Sequence, residues 1–177
     1  MVRIASAAAG LSPSIIREMS GRRRASTLDL TLGQPGRPPD PDLVDRAFAA
    51  YRAGPPGYTE NAGLAELRAA IAAHHGRAGP EEVVVTVGSE QAVYLALTCV
   101  LEPGDEVLVP DPGYPAYPGI VRLLGGVPVS YPVRREAELV PRVEELVARS
   151  SPRTRAVLWN TPSNPFGSIP GPAETQA

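Results

Sequence analysis

Lysine is absent from the 177 residues, and all 17 basic side chains are arginine. Chemistry that needs a side-chain amine as nucleophile is thereby excluded, because a guanidinium stays protonated and attacks poorly. Cysteine is nearly absent too. With Cys99 alone no disulfide can form within the chain, and a reducing cytoplasm is the simple expectation. Its apolar surroundings predict a buried structural thiol rather than a nucleophile. The two histidines, His74 and His75, are adjacent and cannot face one another on a helix as metal ligands do, so no metal site is expected. No apolar run approaches the length of a transmembrane helix, and residues 1–10 are too short and too weakly apolar for a secretory signal. Nor is there an excess of charge. A net −2 gives no electrostatic reason to expect nucleic acid or an anionic membrane as partner, and Arg22-Arg23-Arg24 is too short for a basic patch.

What is present is an ordinary globular composition, 43% hydrophobic and 20% charged, with enough chain for a core. A short helix is predicted from about Ser12 to Ser20, with Pro13 early, where proline is tolerated. Leu28–Leu32 alternates apolar and polar residues until Gly33-Gln34-Pro35-Gly36 breaks regular structure. Asp40 and Asp42 are cap candidates for a helix to about Arg52. A second helix, Leu64 to His75, carries Leu64, Leu67, Ala70 and Ile71 at helical spacing and stops at Gly76. From Glu82 the pattern changes. Strands are expected at Val83–Val87, Glu106–Pro110, Val127–Tyr131 and Arg155–Asn160, with helices near Ser89–Leu101, Tyr117–Leu124 and Pro141–Arg149. This alternation predicts an α/β fold with a mainly parallel sheet and helices on its faces. No internal repeat appears.

Ligands of open α/β sheets sit beyond the carboxyl ends of the strands, and three loops there stand out. In Val87-Gly88-Ser89-Glu90-Gln91 a glycine allows a tight turn into a helix whose free N–H groups could bind phosphate. The plain alternative makes Ser89 an N-cap, and the Glu90 carboxylate would have to point away from any phosphate. In Pro110-Asp111-Pro112-Gly113-Tyr114-Pro115-Ala116-Tyr117 the prolines fix the chain path, an X-Pro bond could be cis, and Tyr114 could present a flat surface to a ring. The third loop, Asn160-Thr161-Pro162-Ser163-Asn164-Pro165-Phe166-Gly167, reads by itself as a turn.

Taken in order, further pieces join these. They are Leu32-Gly33-Gln34-Pro35-Gly36, Gly57-Tyr58-Thr59-Glu60-Asn61-Ala62-Gly63-Leu64, Leu67-Arg68, Thr86-Val87-Gly88-Ser89, Pro103-Gly104-Asp105-Glu106-Val107 and Asn164-Pro165-Phe166-Gly167. The series resembles class I/II, fold-type I, pyridoxal-phosphate-dependent aminotransferases from about residue 11 to about residue 168. Leu11-Ser12-Pro13-Ser14-Ile15-Ile16-Arg17-Glu18 is similar to that family's N-terminal arm. The resemblance implies an arm over residues 1–38. Residues 39–177 then hold the first strands and helices of a mainly parallel three-layer αβα large domain, which reads as truncated, with Gly171–Ala177 beginning a next helix. By the same resemblance the backbone of Gly88, Ser89 and Glu90 would cradle the phosphate of pyridoxal 5′-phosphate. Tyr114 would stack on its pyridine ring, and Asn164 would hydrogen-bond the ring's 3-oxygen. Tyr58 would reach the phosphate of a neighbour in a homodimer, and Gly33 would lie near the substrate carboxylate. Phe166 departs from the family's usual threonine but leaves Asn164 in place.

The implied reaction moves an amino group between an amino acid and a 2-keto acid, and it depends on a lysine bonded to the cofactor. These residues have none, so no catalytic residue is assigned and the chain alone is expected to be inactive. A non-catalytic pseudoenzyme or interaction fragment, or a related pyridoxal-phosphate lyase, remain as other readings. A Rossmann-type nucleotide binder is disfavoured because no G-x-G-x-x-G or Walker-type loop is present. A serine hydrolase is weaker still, without G-x-S-x-G around Ser89. If the family's strand order holds, Val83–Val87 lacks its sheet neighbours and the isolated chain is marginally stable.

Overall fold

The computed structural model describes residues 3–11, 13–28, 30–31, 33–55, 57–76 and 79–172. It divides into two compact units, Arg23–Val87 on one side and Met1–Arg22 with Gly88–Ala177 on the other. In chain order the second of these opens with two short helices, α1 (Ser6–Ala9) and α2 (Ile15–Gly21). The predicted start of α2 at Ser12 lies outside the described residues, and its first described turn begins after Ser14.

Within Arg23–Val87, helix α3 spans Pro41–Ala53 and α4 spans Ala65–His75. Asp40 caps α3 as expected, its Oδ1 accepting the Asp42 N–H at 2.9 Å, and Pro41 takes the first position, where no N–H is needed. Gly76 ends α4 in the left-handed conformation. No residue of α3 is buried, and in α4 only Ala72 is. Polar stitching does the holding instead. The Arg68 guanidinium donates from Nε to the Gly63 carbonyl at 3.2 Å, from Nη1 to Pro80 at 3.1 Å and from Nη2 to Glu60 Oε2 at 2.5 Å.

One expected strand is not found here, and the alternating stretch near Leu28 forms none either among its described residues. Leu28, Leu30 and Thr31 join no strand, and Asp29 and Leu32 lie outside the described residues. Val83–Val87 also joins no strand, although Val85 donates its N–H to the Ala62 carbonyl at 2.8 Å. The physical reason is that a β-branched run becomes a strand only beside a ladder partner. The sheet, made of Glu106–Asp111, Val127–Pro132 and Thr154–Val157, does not extend to it.

The other unit contains that sheet. Helix α5 (Gly88–Thr98) leads to β1 (Glu106–Asp111), then α6 (Ala116–Leu123), β2 (Val127–Pro132), α7 (Val143–Arg149) and β3 (Thr154–Val157). All pairings are parallel, with β1 in the centre, Glu106 opposite Val127 on one side and Leu108 opposite Val157 on the other. The fourth expected strand is shorter than Arg155–Asn160, although Leu158 still donates to Leu108 O at 2.9 Å. As the centre of a sheet covered on both faces, β1 reads as a continuous apolar run whose Val107, Leu108 and Val109 are wholly buried.

Alternate side chains of β1 divide between two cores. Val107 and Val109 pack with Leu97 of α5 and Val121 of α6, whereas Leu108 packs with Tyr131, Val133 and Leu146 of α7. Helices therefore cover both faces, the three-layer αβα arrangement expected of the family. Cys99 corrects another expectation: it is exposed. It follows the buried Leu97 by two residues, about 200° around a helix, so the apolar stretch turns its thiol outward.

At the amino end of the sheet the buried Glu106 is fully engaged. Ser151 Oγ donates to its Oε2 at 2.6 Å, and Arg153 donates to Oε1 from Nη2 at 2.7 Å and from Nε at 3.0 Å. These partners, Ser151 first, hold its carboxyl below the usual carboxylate range. Tyr131 crosses one sheet face to donate to the Leu158 carbonyl at 2.7 Å, and burial raises its pKa.

Candidate functional site

The chain leaves β1 for β2 on one side and then crosses to β3 on the other, so the strand order reverses between β1 and β3. Loops diverge at such a point and leave a crevice beyond the carboxyl ends of the strands. A cavity of about 350 Å³ lies there. Its lining includes Ser89 and Glu90 of α5, Tyr114 from the loop after β1, and Asn160, Pro162 and Asn164 from the loop after β3. Val93, Tyr117 and Ile120 supply its apolar wall. All three loops singled out from the sequence thus converge on one cavity.

Gly88 opens α5 with φ +76°, a backbone conformation that suits glycine. Helix α5 begins at Gly88 itself, so Ser89 is its second residue and not its N-cap. The Tyr114 ring meets Tyr117 edge to face, centroids 5.4 Å apart at 76°, and its hydroxyl donates to Glu90 Oε1 at 2.5 Å. That bond to Glu90, helped by burial, raises the Tyr114 pKa above the ordinary tyrosine value. Burial raises Tyr117 likewise. In the preceding loop Asp111-Pro112 is cis, as are Thr161-Pro162 and Asn164-Pro165.

The loop of Asn164 is tied in place from within. Asn160 Oδ1 accepts the Asn164 N–H at 2.8 Å, Ser163 N–H donates to Ser168 O at 2.9 Å, and Ser168 Oγ donates to Leu139 O at 2.6 Å. By sequence alone Asn160 reads only as part of a turn. Its place four residues before Asn164 was the one signal that it belongs to the site.

Tyr58 and Gly33 belong to the Arg23–Val87 unit. The Tyr58 side chain is fully exposed, and nothing lies within 4 Å of where a Cβ on Gly33 would stand. Among the described residues no group of three or more His, Cys, Asp or Glu could hold a metal ion. None of their helices is long and apolar enough to cross a membrane.

Comparison with known proteins gives these loops a context. Residues 34–177 match the family model for aminotransferase class I and II. A probable aspartate/prephenate aminotransferase of Thermus aquaticus is 37% identical over 153 residues, 84% of this chain and 40% of that protein. An aspartate aminotransferase of Streptomyces avermitilis is 41% identical over 138 residues, 74% of this chain and 34% of its own length. A single-mutant structure of Thermus thermophilus aspartate aminotransferase superposes with a TM-score of 0.84 at 33% identity, covering 96% of this chain and 47% of that one. The chain thus spans less than half the length of the relatives it matches. On the family model, the sequence identities and the shared fold together, the chain belongs to the class I and II aminotransferases.

Proposed function

We propose that these residues form the cofactor-cradling part of a pyridoxal 5′-phosphate-dependent aminotransferase acting on an amino acid and a 2-keto acid. The observation that carries this reading is the convergence of Ser89, Glu90, Tyr114 and Asn164 on one cavity at the reversal of strand order. The residues fit the group. The cavity is of small-ligand size, and one wall is an aromatic ring. Beside Gly88 the space a Cβ would enter has no atom within 4 Å, which lets a phosphate approach the start of an eleven-residue helix.

In this reading the backbone N–H groups at Gly88, Ser89 and Glu90 bind and orient the phosphate. Tyr114 forms the flat wall for the ring, and the Asn164 amide donates to the ring's 3-oxygen, held by the Asn160 bond to its backbone. When bound, the cofactor's ring supplies an electron sink for a bond broken at the substrate's α-carbon. Gly33 lies at the substrate carboxylate in this reading. The exposed Tyr58 serves a second copy of the chain in a homodimer, and residues 1–38 act as an arm.

What the chain does not provide is a proton-shuttling amine, since it has no lysine. It therefore holds the cofactor by noncovalent contacts, and turnover needs a lysine supplied from outside these residues. The missing lysine also favours a second reading, a non-catalytic member of the family that keeps the binding surface alone. Equilibrium dialysis with pyridoxamine 5′-phosphate, which lacks the reactive aldehyde, tests the common core of both. Saturable binding that Tyr114→Ala and Asn164→Ala each weaken is expected, with no transamination by the chain alone. Absence of saturable binding sinks the reading, and turnover by the chain alone sinks the lysine argument.

A further inference from the structure

The Glu90 side chain is the feature of the cavity that a phosphate-binding loop does not explain. A carboxylate in the first turn of α5 suits the helix dipole. Beside a bound phosphate, however, it places like charge against like, an arrangement that costs affinity unless the carboxylate has another task. The structure shows such a task. Glu90 Oε1 accepts the Tyr114 hydroxyl at 2.5 Å across 24 residues of sequence.

Tyr114 is otherwise restrained through its backbone, whose carbonyl accepts the Tyr117 N–H at 3.2 Å, and through its ring. Its backbone lies between Pro112 and Pro115, which restrict the chain path, and one edge of its ring meets Tyr117. Neither restraint fixes the rotation of the ring about its own side-chain bonds. The Glu90 contact holds the far end of the phenol and removes that freedom.

We propose that Glu90 is a positioning residue: by accepting the Tyr114 hydroxyl it sets the pitch of the ring that walls the cavity before any ligand arrives. Ordering the wall in advance spares the binding step that entropy. The inference rests on the reading of the cavity as a ring-and-phosphate site, but the Glu90–Tyr114 pairing can be tested without a ligand.

Two substitutions separate positioning from simple charge. Glu90→Gln removes the charge and keeps an acceptor of nearly the same shape, whereas Glu90→Ala removes both. Under positioning, Glu90→Ala weakens pyridoxamine 5′-phosphate by about fivefold, the worth of one hydrogen bond, and Glu90→Gln stays within about twofold of wild type. Tyr114→Phe loses about as much as Glu90→Ala, and the double variant Glu90→Ala/Tyr114→Phe is no worse than either alone, because both remove one contact. If Glu90→Ala and Glu90→Gln both bind as tightly as wild type or tighter, Glu90 only repels the phosphate and the proposal is overturned. Fully additive losses overturn it as well.

The second readout is the alkaline ultraviolet titration of Tyr114, isolated as the difference between wild type and Tyr114→Phe. Its phenol is flanked by Glu90 and Tyr117, which raise its pKa, and by Arg17, which lowers it. The wild-type phenol ionises above ordinary tyrosine, and Glu90→Ala moves it down. If wild type binds no probe while this Glu90-dependent shift is present, the cofactor reading falls and the pairing stands. An ordinary wild-type titration overturns the pairing itself.

Discussion

From Gly88 onward the chain buries Leu97, Val107, Leu108, Val109, Val121, Tyr131 and Val133, whereas between Arg23 and Val87 Ala72 is the one buried hydrophobic among the described residues. The contrast does not follow apolar content alone. Leu43, Phe48, Tyr51, Leu64, Leu67 and Val84 are all available in the second region, and all are exposed. The difference is architectural. A parallel sheet offers two faces, and β1 at its centre commits every residue from Glu106 to Val109 to the interior. Two helices joined by loops present no such double surface. Their region is organised by the Arg68 hydrogen bonds, each of which contributes only about 1 kcal/mol net. Stability should therefore be steeply unequal along the chain, as local unfolding energies are when buried contacts are unevenly spread.

The largest effect expected is in the sheet. Leu108→Ala empties a site with no solvent exposure and should cost about 2–5 kcal/mol, with the spread set by how far Tyr131 and Val133 collapse into the gap. Phe48→Ala on α3, where no residue is buried, should fall within about 0.5 kcal/mol of wild type. Urea unfolding followed by the signal of Trp159, which adjoins the sheet end, measures both. Equal losses would break the comparison and show that α3 has a partner in solution.

Next in size is a change confined to the weaker region. Gly63 has φ +100°, and a Cβ there would stand 2.6 Å from Val85 Cγ2. Gly63→Ala combines backbone strain with a contact no real Cβ tolerates, and it should cost about 1–3 kcal/mol. The loss should be local. Hydrogen exchange at the Val85 amide, bonded to Ala62 O, should speed up while the amides of β1 keep their protection. Equal loss of protection in both places would mean the regions unfold together.

The same contrast explains what the sequence disclosed. Caps and breaks were legible because they are local chemistry: Asp40 before Pro41 and Gly76 after His75 act through their own backbone. The run Val107-Leu108-Val109 was legible as strand because burial on both faces leaves an unbroken apolar pattern. Val83-Val84-Val85 has the same local appearance and failed, since nothing within it says whether a ladder partner is near. Cys99 failed for a related reason: apolar neighbours in sequence do not say which side of a helix end a thiol faces. At the site, the three loops could be found from strand ends and from the family's motifs. The Glu90–Tyr114 bond and the support of Asn164 by Asn160 could not, because one joins distant residues and the other depends on how a proline-rich turn closes.

The smallest effect expected concerns Glu106, the one buried charged residue in the described chain. It ties the start of β1 to the turn before β3 through Ser151 and Arg153. Its carboxyl is held below the ordinary value of 4.5 in the folded chain, so the folded state favours the ionised form. The stability this contributes is fully present above the unfolded-state value and is lost as pH falls through the lower folded value. Melting temperature should therefore decline on acidification below about pH 4.5, and Glu106→Gln should flatten that decline while lowering stability near neutrality. Arg153 is largely exposed, at 72%, so added salt should shrink its share of the effect and leave the Ser151 bond. An acid limb identical in wild type and Glu106→Gln would assign the decline to other carboxylates, and the polar lock on the sheet's amino end would then be redundant to the apolar core behind it.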